Sequence, residues 1–335
     1  MEIESYKNDD LDRDSTINLL QNFKNKYFGI SFKDKKAKKL IEDYSKDEIL
    51  KKEKEKEKKF VILSGKTILI LLIINVLILD PCIFKKKDYL DLFIITHKDF
   101  PNKMLNRYYK ILCDNKEQLK NKYKLKIIDT YENNELYPKR IGYCEGSKIY
   151  YIWKNYKLKN ATVKYVGFNH YRRIFNFKNS IPDLDEIFSK NDVILYEGNN
   201  FGKTIKELYD IYHFSNFLDE VLEIIKNKYP EYYQTTIDFF NSNYSNYCNI
   251  FIMKREDFIK YGDFVFGVLF EFDRLHNLKC DNDIKNFILK EIELSGKNYD
   301  INYQCRQEGF ILERISNVFY NYHFKNKLEL STITL

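Results

Sequence analysis

The chain has 335 residues, enough to bury a sizeable core in one large domain or in one domain with an appendage. Lys and Arg number 56 against 49 Asp and Glu, and the net charge of +7 suits an anionic small ligand or an acidic lipid surface. Nucleic acid is disfavoured as a partner by the lack of any RNP, zinc-finger or helix-turn-helix signature, and six widely spaced cysteines without a CxxC pair or secretory signal point to reduced thiols in a cytoplasmic protein.

Residues 1–59 read as a charged, helical N-terminal extension. Asp14 opens an amphipathic pattern through Leu19, Leu20 and Phe23, and Ser45–Lys59 is a helix-prone run whose charges keep it solvated. Phe60–Leu79 is strongly apolar, but its uninterrupted part, Thr67–Leu79, falls short of the ~20 residues a spanning helix needs. Asp80 and Pro81 end any helix there. Basic clusters on both sides, Lys51–Lys59 and Lys85–Lys87, set no orientation. A membrane-embedded or interfacial anchor leads over a buried helix or buried strands, and 60–87 is taken as this apolar segment with its basic linker.

From Asp88 the pattern becomes orderly. Strands are expected at Leu90–Thr96, Leu125–Asp129, Val163–Phe168, Asp192–Tyr196 and Tyr247–Met253. Helices are expected at Met104–Lys120, Ile141–Tyr156, Leu184–Ser189, Ile205–Tyr212, Asn216–Lys228, Tyr229–Phe240, Arg255–Asn277 and Phe310–Phe319. Such alternation implies a mainly parallel, three-layer α/β domain over 88–325, followed by a tail at 326–335.

The segment YVGFNHYRRIF (Tyr165–Phe175) carries the strongest chemical signal. A short β-prone run gives way to Asn169, His170, Tyr171, Arg172 and Arg173, at the kind of strand edge where open α/β sheets bind ligands. Adjacent arginines offer planar, permanently charged forks that suit a diphosphate; the plain alternative is a strand end capped by solvated arginines. Thr96, His97 and Lys98 follow the first strand and could hold a base, ribose or phosphate, or form a surface turn. Glu145 and the triplet Trp153-Lys154-Asn155 lie on one amphipathic helix, where Lys154 could meet a phosphate and Trp153 could stack on a sugar or belong to the core. Asp192 flanks a strand as a candidate carboxylate for a hydroxyl or a metal. Asp183-x-Asp185 has the spacing of sugar-nucleotide enzymes but reads better as a helix N-cap. Asn249 falls inside an apolar strand, where a polar group needs a reason. Near the end, Arg306, Gly309, Glu313 and Arg314 form a cluster. Gly309 would let the backbone approach a ligand, and Glu313 in the first turn of the last helix would be a base stabilised by the helix dipole, unless both charged residues are ordinary salt-bridge formers. Walker, GxGxxG, HExxH, GxSxG and kinase motifs are absent from the chain, which leaves hydride transfer, NTP hydrolysis and serine-hydrolase chemistry without support.

Seven stretches taken together resemble a known family. They are ITHK (Ile95–Lys98), YCEGSKIYYIWKN (Tyr143–Asn155), VGFNHYRRIF (Val166–Phe175), DVIL (Asp192–Leu195), the YxxxH of Tyr209 and His213, NIFIMKREDFIKY (Asn249–Tyr261) and RQEGFILER (Arg306–Arg314). Their order and types are similar to the bacterial capsular and exopolysaccharide biosynthesis family known as domain of unknown function 4422, read as a glycosyltransferase, across roughly Asp88–Phe324. The stretch 129–140 is shorter and differently patterned than is usual there, and Asn249-Ile250 replaces Asn-Met.

The resemblance implies a GT-A-like nucleotide-sugar fold and hexosyl transfer from a nucleotide-diphosphate sugar to a lipid-linked or polysaccharide acceptor. It would make Thr96, His97, Lys98, Lys154, His170, Arg172 and Arg173 donor-binding. Glu145, Trp153, Asn155, His213, Asn249, Arg306 and Arg314 would be sugar- or acceptor-binding. Transfer also needs leaving-group charge neutralised and an acceptor proton removed. Arg172, Arg173 and Lys154 are expected to do the first, with a divalent metal (Mn or Mg) compatible but not indicated. Glu313, then Asp192, are the expected bases. The enzyme would face the cytoplasm, peripheral to or anchored at the inner face of the plasma membrane, with its basic N-terminal region near an anionic leaflet. The rivals are a glycan phosphotransferase and a noncatalytic sugar-nucleotide or glycan-binding module.

Overall fold

The computed structural model describes residues 89–334, apart from 101–107, 120–121, 124, 159–162, 176 and 178–180. The charged extension and the apolar stretch expected at 60–79 lie outside the described residues.

Apolar, β-branched and aromatic runs form the centre of the sheet. Strands β1 (Leu90–Ile95), β2 (Tyr109–Cys113) and β3 (Lys126–Asp129) pair in parallel, and β1 pairs on its other side with β4 (Tyr165–His170), also in parallel. Next comes β9 (Phe251–Lys254), antiparallel to both β4 and β6 (Val193–Tyr196), and β10 (Lys327–Leu330) runs parallel to β6 at the far side. A short β5 (Arg173–Phe175) leaves β4 and pairs antiparallel with β11 (Thr332–Thr334). A separate two-residue pair, β7 (Asn199–Asn200) with β8 (Tyr244–Ser245), lies off the main sheet. The sheet therefore continues past residue 325: the segment expected as a tail supplies β10 and β11.

Each central strand is buried on both faces, so its side chains divide by the two-residue period between two cores. In β1, Phe93 and Ile95 join one cluster while Leu92 and Ile94 join the other. The first and larger cluster is covered by helices α3 (Gly146–Leu158), α8 (Arg255–His276) and α11 (Gln307–His323). The second lies beneath α4 (Leu184–Lys190) through Leu184 and Phe188. The result is the expected mainly parallel α/β arrangement with helices on both faces.

Local chemistry explains several boundaries. Asp183 caps α4 by accepting from the Asp185 and Glu186 backbone N–H groups, as its spacing predicts. Thr204 and Glu207 form a reciprocal capping box at α5 (Ile205–Tyr212). Helix α6 (Ser215–Lys228) follows, and Pro230–Tyr232 forms a 3-10 turn into α7 (Tyr233–Phe240).

Other expectations are corrected. Tyr109–Cys113, placed in a helix by its apolar content, is a strand: a short apolar run does not reveal its period, and pairing with β1 decides. Between it and β3 the described residues form the short α1 (Lys116–Leu119). The helix expected at Ile141–Tyr156 is two, α2 (Arg140–Tyr143) and α3, broken where Cys144 adopts φ 50°. A further helix, α9 (Asp281–Ser295), has no counterpart among the expected elements, and α10 (Ile301–Gln304) precedes α11. The last strand before α8 starts only at Phe251, because Cys248 and Asn249 turn the chain with φ 74° and 47°. Gly309 lies within α11, where a Cβ would come 3.3 Å from the Gly142 carbonyl oxygen and 3.4 Å from Cys144 Cβ. Its purpose is close approach of α11 to α2, not of backbone to a ligand.

Candidate active site

Strand direction decides which residues can meet. β1, β2, β3, β4, β6 and β10 all end at one edge of the sheet, and antiparallel β9 begins there. The segments after β1 and β4 and the turn before β9 therefore gather at the carboxyl edge, where open α/β sheets bind ligands.

Tyr171 sits at the middle of the basic group. His97 and His170 pack on its ring with centroids 5.0 and 4.5 Å away, and the Lys98 and Arg172 cations lie 5.4 and 5.5 Å from its centre. Thr96 is buried and shapes this loop: its hydroxyl accepts from Lys98 N at 3.1 Å and donates to the Lys98 carbonyl oxygen. His170 Nδ1 accepts from Arg172 N at 3.3 Å, which folds the Arg172 backbone back over the strand end. Burial holds His170 down to about 4, with help from Arg172, His97, Arg173 and Arg306, so it is neutral at pH 7. His97 is lowered by burial and by Lys98, Lys148, Arg172 and Arg306.

Two of the arginines face cysteine sulfur. Arg173 Nη1 donates to Cys248 Sγ at 3.1 Å, and Arg306 Nε donates to Cys144 Sγ at 3.2 Å. Burial pushes both thiols up to about 11, so these sulfurs are neutral and only weak acceptors. Among the described residues, Lys98, Arg172, Arg173 and Arg306 make no ion pair with a carboxylate. Lys148 is buried nearby and pairs with Asp114, just after β2.

Glu313 meets this group through Cys248, the residue that Arg173 also contacts. Cys248 N donates to its Oε1 at 3.2 Å and Arg314 Nη1 to its Oε2 at 3.1 Å. The Arg314 guanidinium is itself held over the rings of Tyr209 and Tyr247, 5.2 and 5.3 Å from their centres. Glu313 is the seventh residue of α11, not in its first turn, so the dipole explanation does not hold. Burial raises its carboxyl to about 7, against the pull of Arg314 and with a further push from Glu145. Such a group exchanges a proton near neutrality, which a general base requires.

Glu145 reaches the same place from the turn before α3. Its Oε1 accepts from Asn249 Nδ2 at 3.3 Å, and Asn249 Oδ1 accepts from the Ser316 hydroxyl at 3.1 Å. Asn249 thus belongs to the left-handed turn, not to the strand interior, and ties Glu145 to α11.

The remaining expected residues fall elsewhere. Asp192 lies at the amino end of β6, on the opposite edge, where its carboxylate accepts from Lys325 N and Asn326 N at 3.1 and 2.9 Å and fixes the entry to β10. Trp153, Lys154 and Asn155 are carried about 12 Å down α3 from Glu145. Trp153 Nε1 donates to the Ile259 carbonyl oxygen at 3.0 Å and its ring fills the space over Gly262. Lys154 pairs with Glu135, and Asn155 donates to Tyr151 O within its own helix. His213 is 2 % exposed, caps α5 and packs on Phe310 with centroids 4.0 Å apart; burial holds it down to about 3. Its role is structural.

The sequence reading passed over Tyr171, Cys144, Cys248, Lys148 and Ser316. Tyr171 stood within the basic motif, but nothing in residue spacing shows that two distant cysteines face two distant arginines. No group of three His, Cys, Asp or Glu among the described residues could hold a metal ion, and Glu145 and Glu313 are already engaged by amide, backbone and guanidinium donors.

Residues 91–326 match the model of the domain of unknown function DUF4422, more than half of the chain. The chain belongs to the DUF4422 family. Among solved structures it is similar to the apo structure of WbbM, a bifunctional glycosyltransferase, at 22 % identity and a TM-score of 0.53, covering 74 % of this chain and 45 % of that one. The DUF4422 chain thus spans less than half the length of that structure, and the likeness is one of fold: a GT-A-like α/β domain. A second structure, core-mannan synthase A from Aspergillus fumigatus in its Mn/GDP form, aligns at 14 % identity over 55 % of this chain and 64 % of that one with a TM-score of 0.28, too low to carry any argument. No curated protein sequence matches the chain. Among the described residues of this DUF4422 domain, no helix is long and apolar enough to cross a membrane.

Proposed function

We propose that this DUF4422 domain is a glycosyltransferase that moves a hexosyl unit from a nucleotide-diphosphate sugar to a lipid-linked or polysaccharide acceptor in surface glycan synthesis. One observation carries the reading: Lys98, Arg172, Arg173 and Arg306, cations without carboxylate partners among the described residues, share the carboxyl edge of a GT-A-like sheet with Glu313, a carboxyl raised to about 7.

In a direct displacement the acceptor oxygen attacks the anomeric carbon and the bond from that carbon to the diphosphate breaks. The nucleoside diphosphate leaves with the electron pair, and the acceptor proton passes to Glu313. Fixed guanidinium forks are suited to the charge gathering on the departing diphosphate, because they are oriented before it arrives. Neutral His170 and His97 can donate hydrogen bonds there without adding charge.

The test is donor binding and hydrolysis over a panel of nucleotide sugars, comparing wild type with Arg172→Ala, with and without manganese. Saturable binding of one donor, release of nucleoside diphosphate and weakening by the substitution support the reading. Folded protein that binds none of the panel would overturn it in favour of a glycan-binding module.

A further inference from the structure

An aromatic wall stands beside Glu313 that the donor chemistry does not use. The Phe201 ring packs edge-on against Tyr247 with centroids 5.0 Å apart at 89°, and Tyr247 lies under Arg314, which holds Glu313. Neither ring belongs to either hydrophobic core, and Phe201 is 38 % exposed.

The wall is built firmly. β7 and β8 pair Asn199 with Ser245 and Asn200 with Tyr244, and Phe201 N donates to Asn243 O at 3.0 Å. Glu329 of β10 fastens this strand pair to the main sheet by accepting from Gly198 N at 3.2 Å, Asn246 Nδ2 at 2.9 Å and the Tyr244 hydroxyl. Asn317 of α11 fixes the following turn, accepting from Asn246 N and donating to Asn246 O, each at 2.9 Å. Through Cys248, that turn also contacts Glu313. Phe201 is thus set in a fixed relation to the candidate base, with exposed Asn199 and Asn200 on the adjoining strand.

We infer that Phe201 and Tyr247 form the acceptor subsite, an aromatic wall that takes the apolar face of a pyranoside and presents its hydroxyl to Glu313. This rests on the glycosyltransferase reading, in which an acceptor hydroxyl must reach Glu313. A sugar ring has an apolar C–H face and polar edges, which match a flat ring bordered by amides. The cation-rich group around Tyr171 suits the opposite partner, an anionic diphosphate. The two halves of the edge thus divide the two substrates by charge.

The experiment measures binding of a panel of p-nitrophenyl pyranosides by saturation-transfer NMR, alongside hydrolysis of the donor by water, in wild type, Phe201→Ala and Phe201→Trp. Phe201→Ala is expected to weaken saccharide binding by about three- to tenfold, the scale of one aromatic contact, and to leave donor hydrolysis unchanged. Phe201→Trp is expected to restore binding. Equal saccharide binding by wild type and Phe201→Ala overturns the subsite, as does a wild type that hydrolyses donor but binds none of the pyranosides. Saccharide binding that depends on Phe201 in a protein that neither binds nor hydrolyses any donor supports the wall and sinks the transferase reading alone.

Discussion

Cys248 donates its backbone N–H to Glu313 Oε1 at 3.2 Å, joining the left-handed turn before β9 to the second turn of α11. Those two segments lie 65 residues apart in the chain. The contact gives the candidate base a fixed orientation, while burial keeps its carboxyl near neutrality at about 7.

That balance predicts the pH dependence of transfer. The base form of Glu313 is lost as pH falls through about 7, so kcat/KM should drop close to tenfold per unit below that point. In Glu313→Gln this acid limb should vanish along with most of the rate, by roughly a hundredfold or more. A wild-type profile flat from pH 5 to 8 would count against Glu313 as the base.

The same carboxyl leaves a mark on stability. Folded protein keeps the Glu313 proton up to about 7, whereas the unfolded chain releases it near the ordinary value of 4.5. The unfolded state thus binds fewer protons between these values, and stability falls as pH rises through that window. Denaturant titrations from pH 4.5 to 8 should show wild type losing stability relative to Glu313→Gln, by on the order of 1–3 kcal/mol across the range. Parallel curves for the two proteins would show that the shift is absent.

Donor affinity should separate the residues of the carboxyl edge from those along α3. Arg172→Ala or Arg306→Ala should weaken nucleotide-sugar binding by roughly 10- to 100-fold, the scale of a lost hydrogen bond to a charged group. Lys154→Ala should leave it unchanged, because Lys154 pairs with Glu135 away from the basic group. Calorimetric titration of the three variants decides between them.

Trp153 should prove structural. A Cβ at Gly262 would fall 2.0–2.3 Å from atoms of its indole ring, so Gly262→Ala must displace either the ring or α8. The substitution should cost about 1–3 kcal/mol in denaturant unfolding. Donor affinity of the folded fraction should not move; a selective loss of affinity would return Trp153 to the binding site.

How far the sequence reaches is plain from these residues. Apolar runs located β1, β4, β6 and β9, and capping chemistry correctly read Asp183 as an N-cap, since such signals act between neighbours in the chain. The motif from Asn169 to Arg173 marked the strand edge where the basic group gathers. Tyr109–Cys113 was misread because a five-residue apolar run has the same composition in a helix as in a strand, and only its partner β1 distinguishes them. The sequence ranks Glu313 ahead of Asp192 as the base, on a first-turn position in the last helix that Glu313 does not hold. Strand direction places Asp192 at the amino end of β6, hydrogen-bonded to the entry of β10, while burial raises Glu313 against the opposing pull of Arg314 and of the Cys248 N–H.

The chain by itself determined the alternation of elements, the basic motif and the aromatic supply, because propensity, capping and hydrophobic period are local properties. Tertiary structure alone decided that Arg173 meets Cys248, that Arg306 meets Cys144 and that Phe201 stands against Tyr247. Proton affinity and ligand contact depend on burial and on charges brought from distant segments, and sheet direction brings those segments together.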